Sequence, residues 1–107
     1  MKRIGFLLKV KEDKIEEYKT RHQAVWPEML EALRKNGWHH YSLFIANDGL
    51  LFGYFETTVS LQSAVDGMSK EEINALWQTY MADFFENIEG KHADEGLIEL
   101  EPVFYLE

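Results

Sequence analysis

The spacing of apolar residues along this chain changes near residue 13, and that change limits the folds open to it. Over residues 3–10 apolar side chains alternate, which predicts a strand whose main apolar face carries Ile4, Phe6, Leu8 and Val10. From Asp13 onward they recur at steps of three and four residues, as in an amphipathic helix, at Ile15, Tyr18, His22, Val25, Trp26, Met29, Leu30 and Leu33. A strand followed by such a helix is expected to pack the helix against a sheet.

Pro27 interrupts this helical stripe. Proline lacks an amide hydrogen and disfavours helical backbone at the residue before it. The sequence therefore predicts two helical pieces with a kink, the second beginning near Pro27 and Glu28. Gly37 is a suitable stop for the second piece, because glycine readily adopts the left-handed backbone that ends many helices.

A β-hairpin is predicted in the middle of the chain. The segments His39–Ala46 and Leu50–Glu56 have the composition of strands. Between them, Asn47, Asp48 and Gly49 tolerate the positive φ angles that a tight turn demands. The two segments are therefore expected to pair with each other as antiparallel strands.

Two helices are predicted after the hairpin. The first runs from Ser60 to Asp66 and ends at Gly67. The second opens with a capping box made by Ser69 and Glu72. Its buried face is expected to carry Ile73, Trp77, Tyr80, Met81 and Phe84.

The end of the chain completes a recognisable order of elements. Residues 86–96 have little periodicity and are predicted as a long loop, either a lid or a partner contact, and residues 98–106 as a last strand. The order strand, helix, strand, strand, helix, strand predicts an α+β chain with the ferredoxin-like βαββαβ fold, a four-stranded antiparallel sheet with helices on one face. Residues 1–107 would form one domain, and the uncovered apolar sheet face predicts a homodimer.

Composition limits the partners and the compartment. With 11 Lys and Arg against 19 Asp and Glu, the net charge of −8 and the scattered cations make nucleic acid and anionic membranes poor partners, whereas a neutral small molecule is unaffected. The absence of cysteine removes disulfides, thiolate nucleophiles and thiolate metal sites, and favours a reducing cytoplasm. Lys9 interrupts the first apolar run too early for a signal peptide or membrane span.

The usual motifs of cofactor and metal sites are missing. The sequence has no glycine-rich phosphate loop, no pair of histidines four apart on a helix and no glycine-flanked serine. His39 and His40 are adjacent on a predicted strand, so their side chains are expected to point to opposite faces. No metal and no cofactor are predicted.

His22 is the residue that best fits chemistry. It follows Tyr18 by four residues on the apolar stripe of the first helix, where an unpaired polar ring is costly. One interpretation is a core histidine whose nitrogens are satisfied by neighbours. The other is a proton-transfer group, because imidazole can give and take a proton near neutral pH and a half-buried helix position fixes its direction.

Three aromatic residues are candidates for a binding pocket around His22. Tyr18 shares its helix face, and Tyr41 lies on a strand that this helix would pack across. Each is either an ordinary core-edge tyrosine or a pocket residue. Trp77 on the later helix is either a core anchor or a ring against which the C–H face of a sugar could stack, and these two roles are compatible. Lys19 and Arg21 flank the stripe and are expected to be solvated.

These residues together resemble a known family. The pattern consists of Tyr18, Arg21-His22, Trp26-Pro27-Glu28, Tyr41, Trp77, Tyr80-Met81, Asp83 and the ending Val103-Phe104-Tyr105-Leu106. It is similar to the L-rhamnose mutarotases over nearly the whole chain. This resemblance implies a dimeric α+β barrel enzyme that interconverts the α and β anomers of L-rhamnose without a cofactor or metal.

The resemblance also implies roles for individual residues. The residue matching His22 is the family's proton donor, and those matching Tyr18 and Tyr41 contact the sugar. The family carries two adjacent tryptophans on the later helix; here Trp77 matches the first and Gln78 takes the place of the second. A further departure is Pro102, which cannot donate a ladder hydrogen bond and is expected at a sheet edge or a bulge.

Two alternatives from other functional classes remain open at the level of sequence. Small dimeric α+β barrels with a histidine in an aromatic-lined pocket include haem-handling and cofactor-free monooxygenases, an analogy of fold alone. A non-catalytic ligand-binding module, with His22 merely packed, is the other. Acceleration of anomer exchange separates the isomerase from both.

Overall fold

The computed structural model describes residues 1–86 and 96–107. Short 3-10 turns at Glu12–Lys14 and Ala82–Phe84 flank the helical segments. In chain order, the helices and strands are β1 (Lys2–Lys9), α1 (Ile15–His22), α2 (Pro27–Lys35), β2 (His39–Ile45), β3 (Leu50–Thr57), α3 (Leu61–Ser69), α4 (Glu72–Met81) and β4 (Ile98–Leu100).

The four strands form one antiparallel sheet in the order β2-β3-β1-β4. The central pair, β1 with β3, runs in regular register from Lys2 opposite Thr57 to Lys9 opposite Leu50. β4 pairs with the other edge of β1, with Leu100 opposite Gly5. The prediction of an α+β, ferredoxin-like chain with a four-stranded antiparallel sheet is confirmed.

The helices cover one face of the sheet, where the alternation of β1 places its apolar side chains. Phe6 and Phe55 are among the most buried residues, at 1% and 0% exposure, and the Trp38 ring stacks on Phe55 at a centroid distance of 4.0 Å. Gly53 lies opposite Phe6 on β3, and its lack of a side chain leaves room for the Phe6 ring. This packing is why the strand pair tolerates a bulky ring at its centre.

The hairpin and the helix break form as predicted. Gly49 has φ +92°, and a β-carbon there would collide with the carbonyl oxygen of Val10. The Asp48 side chain accepts a hydrogen bond from the amide of Leu50 at 3.0 Å, which closes the turn. Pro27 is the first residue of α2, so the chain breaks between two separate helices there.

The boundary between α3 and α4 differs from the prediction. α3 does not end at Gly67 but continues to Ser69, because Gly67 does not adopt the left-handed backbone that ends a helix; its lack of a side chain instead leaves room for the Asn36 side chain. Ser69 is not the N-cap of α4, since its hydroxyl donates to the carbonyl of Asp66 at 2.6 Å and the N-cap position belongs to Glu71.

The buried face of α4 is also narrower than predicted. Trp77 and Met81 are buried, as is Phe84 in the following turn, but Ile73 is only half-buried and Tyr80 is 45% exposed. Tyr80 lies at the helix surface because it packs beneath an arginine from α1, as described below.

The last strand is shorter than predicted. β4 covers Ile98–Leu100 instead of residues 98–106, and residues 101–107 are exposed with no regular structure. In the register that pairs Gly5 with Leu100, Pro102 would face Arg3 and could not donate the ladder hydrogen bond. The predicted 86–96 loop falls mostly on residues 87–95, which lie outside the described residues.

Within the described parts of the chain, no helix combines the length and the apolar composition needed to cross a bilayer.

Gly53→Ala tests the packing of the central strand pair. We expect the free energy of unfolding to fall by about 1–3 kcal/mol, because the new methyl group overlaps the Phe6 ring and forces it from its position. Urea unfolding measures the change. Gly5→Ala on the opposite face, where the nearest atom would be a Phe52 ring carbon at 3.3 Å, is the control and should cost less. Equal stability of Gly53→Ala and the parent would contradict the packing described.

Candidate active site

A cavity lies between the sheet and the helices α1, α2 and α4. Its larger part has a volume of about 380 Å³ and a smaller adjoining part about 70 Å³. The larger part lies within the range typical of small-molecule sites. The parts share His22, Trp38, Tyr41, Leu43, Trp77 and Gln78. Tyr18, His22, Tyr41 and Trp77, the four residues singled out in the sequence, all line the smaller part.

His22 is the last residue of α1, and its ring is anchored by the helix itself. Nδ1 lies 2.9 Å from the carbonyl oxygen of Tyr18, one turn earlier. A carbonyl can only accept, so Nδ1 carries the hydrogen and donates it. In the neutral ring the lone pair therefore resides on Nε2, which has no hydrogen-bond partner among residues 1–86 and 96–107.

Two aromatic rings contact the imidazole of His22. The Tyr18 ring stacks on it with centroids 4.2 Å apart and planes 29° apart. Trp77 meets it edge to face at 5.6 Å and 86°. These two ring contacts restrict the orientation of the His22 ring, which is half-buried.

Burial determines the protonation states of His22 and Tyr18. Desolvation lowers the pKa of His22 below its ordinary value, and the hydrogen bond to the Tyr18 carbonyl offsets only part of this effect. Burial, together with the neighbouring Tyr41 phenol, raises the pKa of Tyr18. At neutral pH His22 is thus a neutral base and Tyr18 is a protonated phenol.

Arg21 ties α1 to the end of α4, although it was expected to be solvated. Its Nη1 donates to the carbonyl of Tyr80 at 2.6 Å, and its guanidinium lies 4.0 Å above the Tyr80 ring. Glu17 pairs with the same guanidinium at 2.9 Å. Arg21 therefore connects the end of α1, where His22 lies, to the end of α4, whereas Lys19 is exposed as predicted.

Trp26 reinforces this link from the turn between α1 and α2. Its ring meets Trp77 edge to face at 5.0 Å and lies 5.3 Å from the Tyr80 ring. The periodicity placed Trp26 on the apolar stripe, but the sequence held no signal that its partner would be Trp77. Trp26 closes the outer side of the Trp77 ring and keeps it against the cavity.

Two amide residues of the cavity were not singled out as site residues. Asn74 is 4% exposed. Gln78 lies one turn later on α4, and its Nε2 donates a hydrogen bond to Oδ1 of Asn74 at 3.2 Å. Their four-residue spacing with Trp77 between them was the available signal, since residues four apart lie on one helix face.

The two adjacent histidines lie apart from His22. A bulge between His39 and Ser42 interrupts the pairing of β2, and His40 adopts a left-handed backbone with φ +51°. The predicted directions of the His39 and His40 side chains assumed a regular strand, which the bulge interrupts. Over residues 1–86 and 96–107 no three histidine or acidic side chains are grouped so that they could hold a metal ion.

The protonation of His22 can be measured directly. In the neutral protein, ¹⁵N NMR is expected to show a protonated Nδ1 and an unprotonated Nε2, with a pKa below 6.5. The pKa of His22 is lower in the folded chain than in the unfolded chain. At pH values between these two pKa values the unfolded chain binds more protons than the folded one. The free energy of unfolding therefore falls as the pH drops from about 6.5. His22→Gln should flatten this dependence. A neutral ring protonated at Nε2 would contradict the anchoring.

Comparisons with known proteins identify the family of this chain. A sequence profile of the L-rhamnose mutarotase family matches residues 3–106. The L-rhamnose mutarotases of Bacillus subtilis and Pectobacterium carotovorum are 38% and 37% identical, each over the whole of both chains. The crystal structure of an L-rhamnose mutarotase from Formosa agariphila superimposes with a TM-score of 0.80 at 31% identity, again covering both chains fully. The chain belongs to the L-rhamnose mutarotase family.

Proposed function

We propose that this protein is an isomerase that interconverts the α and β anomers of L-rhamnose, with His22 as the proton-transfer group. The observation that carries the proposal is the His22 ring, whose Nδ1 is bound to the Tyr18 carbonyl at 2.9 Å while the ring lines an aromatic-walled cavity. Family membership supplies the substrate class, because the relatives it matches are named for L-rhamnose.

The reaction requires only proton transfers and one carbon–oxygen bond. The anomeric hydroxyl loses its proton, the bond between the anomeric carbon and the ring oxygen breaks, and the ring oxygen gains a proton. The open-chain aldehyde then rotates and closes on its other face. No electrons leave or enter the sugar, so the step needs no oxidant or electron sink.

One nitrogen of His22 can serve both transfers. Because Nδ1 stays bound to the Tyr18 carbonyl, Nε2 takes the anomeric proton and the resulting imidazolium donates it to the ring oxygen. The two sugar oxygens are attached to the same carbon, so a small movement of the sugar brings each to Nε2. Burial lowers the pKa of His22, which favours return of the proton.

The surrounding rings bind and orient the sugar in this proposal. Trp77 and Tyr41 offer apolar surfaces on which the C–H face of a pyranose can stack. The Tyr18 phenol, kept protonated by burial, supplies a hydrogen-bond donor. General acid–base help of about 10²- to 10⁴-fold, together with positioning, is sufficient because uncatalysed mutarotation is already measurable.

The two alternatives are not favoured by the comparisons. The family match and the relatives at 37% and 38% identity are L-rhamnose mutarotases, not monooxygenases or non-catalytic binding modules. Tight anchoring of a histidine whose Nε2 has no hydrogen-bond partner in the described part of the chain also suits proton transfer better than simple packing.

The protein is further proposed to act as a cytoplasmic homodimer. The sheet face opposite the helices carries apolar side chains, among them Phe44 at 62% and Ile98 at 63% exposure, and Phe44 lies 6.2 Å from Phe52 on the neighbouring strand. A second copy of the chain fits this face, because each copy would bury its exposed apolar side chains against the same face of the other. The absence of cysteine fits a reducing compartment.

Exchange NMR on equilibrated L-rhamnose tests the activity. The parent protein should accelerate anomer exchange, and His22→Ala should reduce the protein-dependent rate by about 10²-fold or more, since the proton-transfer group is gone. Tyr18→Phe keeps the ring and should cost only about tenfold or less. The rate should also fall as the pH drops through the pKa of His22, because the protonated ring cannot act as a base.

His40→Asn is the matched control, since it removes a histidine from another part of the chain and asparagine tolerates the left-handed backbone found there. It should exchange L-rhamnose as fast as the parent. The proposal fails if the parent leaves exchange at its spontaneous rate or if His22→Ala is as active as the parent.

Sedimentation analysis tests the dimer. Phe44→Glu places a charge on the open sheet face, and we expect the dimer dissociation constant to rise at least about tenfold because two buried carboxylates would meet an apolar surface. Leu76→Glu alters an exposed leucine on α4, 56% exposed, and should leave the dimer intact. A parent that sediments as a monomer would contradict the proposal.

A further inference from the structure

A second cleft opens between the end of α2 and the start of β2, with a volume of about 380 Å³. Its basic lining consists of Arg34, His39 and His40, and its apolar and aromatic lining consists of Leu30, Leu33, Trp38 and Tyr41. This second group also lines the larger part of the cavity that contains His22. The two spaces therefore adjoin, and one ligand can extend from the cavity into the cleft.

The bulge in β2 explains how adjacent residues come to line one cleft. In a regular strand, neighbouring side chains point to opposite faces. The pairing of β2 with β3 is interrupted between His39 and Ser42, and His40 adopts a left-handed backbone with φ +51°. Bulges redirect side chains and are common beside active sites, and left-handed residues other than glycine cluster at functional sites. The distortion brings residues 39–41 to the same cleft, which gives it a consequence beyond the fold.

The cleft is basic in a chain that is strongly acidic. The sequence carries 19 Asp and Glu against 11 Lys and Arg, yet none of the described residues that line the cleft is acidic. Over residues 1–86 and 96–107, the side chains of Arg34 and His39 make no hydrogen bond or ion pair. Their N–H donors are therefore available to a ligand.

The fold accounts for only part of this arrangement. The helix dipole favours a cation in the last turn of α2, where both Arg34 and Lys35 lie. Lys35 satisfies this preference and is paired with Glu71 at 3.3 Å. Arg34 has no such acidic partner in the described part of the chain and lines the cleft instead. His39 is half-buried, so its ring is more restricted in direction than that of the exposed His40.

We propose that Arg34 and His39 bind the phosphate group of a sugar phosphate whose ring lies in the adjoining cavity. The inference rests on the proposed function for the position of the ring. A guanidinium presents two parallel N–H donors and an imidazole presents a third, which matches the three terminal oxygens of a phosphate monoester better than the two oxygens of a carboxylate. The apolar and aromatic walls shared by the cleft and the cavity suit the carbon atoms of the sugar.

A ligand of this kind competes with L-rhamnose for the cavity. L-Rhamnose is neutral and has no anionic group for the cleft, so the charge of Arg34 does not strengthen its binding. A sugar phosphate that occupies both spaces gains charge-assisted hydrogen bonds and excludes the neutral sugar. We therefore expect competitive inhibition of anomer exchange, with a higher apparent KM and an unchanged kcat.

Titration calorimetry at constant ionic strength tests the phosphate contact without relying on catalysis. The ligands are L-rhamnose, its 2-, 3- and 4-phosphates, and inorganic phosphate. In the parent, at least one ester should bind about tenfold or more tightly than L-rhamnose. Arg34→Met keeps most of the length of the side chain but removes its donors, and should bring this affinity ratio to within about threefold of unity.

Lys35→Met is the matched control, because it removes a neighbouring charge whose side chain is not among those that line the cleft. It should keep the affinity ratio of the parent. His39→Asn should lose part of the ratio, and it makes the same comparison if Arg34→Met proves unstable in thermal unfolding. In exchange NMR, the tightest-binding ester should inhibit the parent competitively, with an inhibition constant that rises about tenfold in Arg34→Met.

The outcomes separate this inference from the proposed function. A preference for an ester that Arg34→Met abolishes and Lys35→Met retains supports the phosphate subsite. A parent that prefers no ester, or an Arg34→Met variant that retains the preference, overturns it. Inorganic phosphate that binds as tightly as the best ester overturns the sugar phosphate as the ligand and assigns the contact to free phosphate. Arg34-dependent binding of an ester by a protein that accelerates no exchange overturns the proposed function alone.

Discussion

The hydrogen bond from His22 Nδ1 to the Tyr18 carbonyl is the contact on which the site depends. It lies within a single turn of α1, so the helix itself orients the His22 ring. Its chemical consequence is a fixed tautomer, in which Nδ1 donates and Nε2 carries the lone pair of the neutral ring. Stacking on Tyr18 at 4.2 Å adds a second restraint on the same ring.

The hydrogen bond within α1 orients the His22 ring in the cavity only if α1 is also fixed relative to α4. Arg21 provides the connection, because its guanidinium donates to the Tyr80 carbonyl and packs over the Tyr80 ring. Trp26 braces the Trp77 ring from outside at 5.0 Å. The buried face of the sheet, with Phe6 at its centre, forms the side of the cavity opposite the helices. The cavity is thus enclosed by elements that are far apart in sequence.

Much of the fold could be predicted from the sequence because it depends on local rules. Alternation identifies β1, Gly49 marks the hairpin turn and Pro27 starts a new helix. Errors arose where a distant residue decided the outcome. Gly67 was predicted to end α3, but it lies inside the helix, where its lack of a side chain leaves room for Asn36 from the end of α2. The sequence predicts a last strand that extends to residue 106. In the observed register with β1, however, Pro102 would lie opposite Arg3 and could not donate a ladder hydrogen bond, so the strand ends earlier.

The site divides in the same way. Tyr18, His22, Tyr41 and Trp77 could be selected by residue type and helix spacing, and they line one cavity. The Arg21 contact could not be predicted, since its acceptor is a backbone carbonyl 59 residues away that leaves no mark in the sequence. Nor could the protonation state of His22, which follows from burial that only the assembled fold creates.

A crystal structure of the protein with L-rhamnose bound tests the central claim most directly. The account predicts that the anomeric oxygen or the ring oxygen lies about 2.6–3.2 Å from His22 Nε2, while Nδ1 remains bound to the Tyr18 carbonyl. A sugar seated in the cavity with its anomeric carbon turned away from His22, or a His22 ring rotated so that Nε2 faces Tyr18, would contradict it.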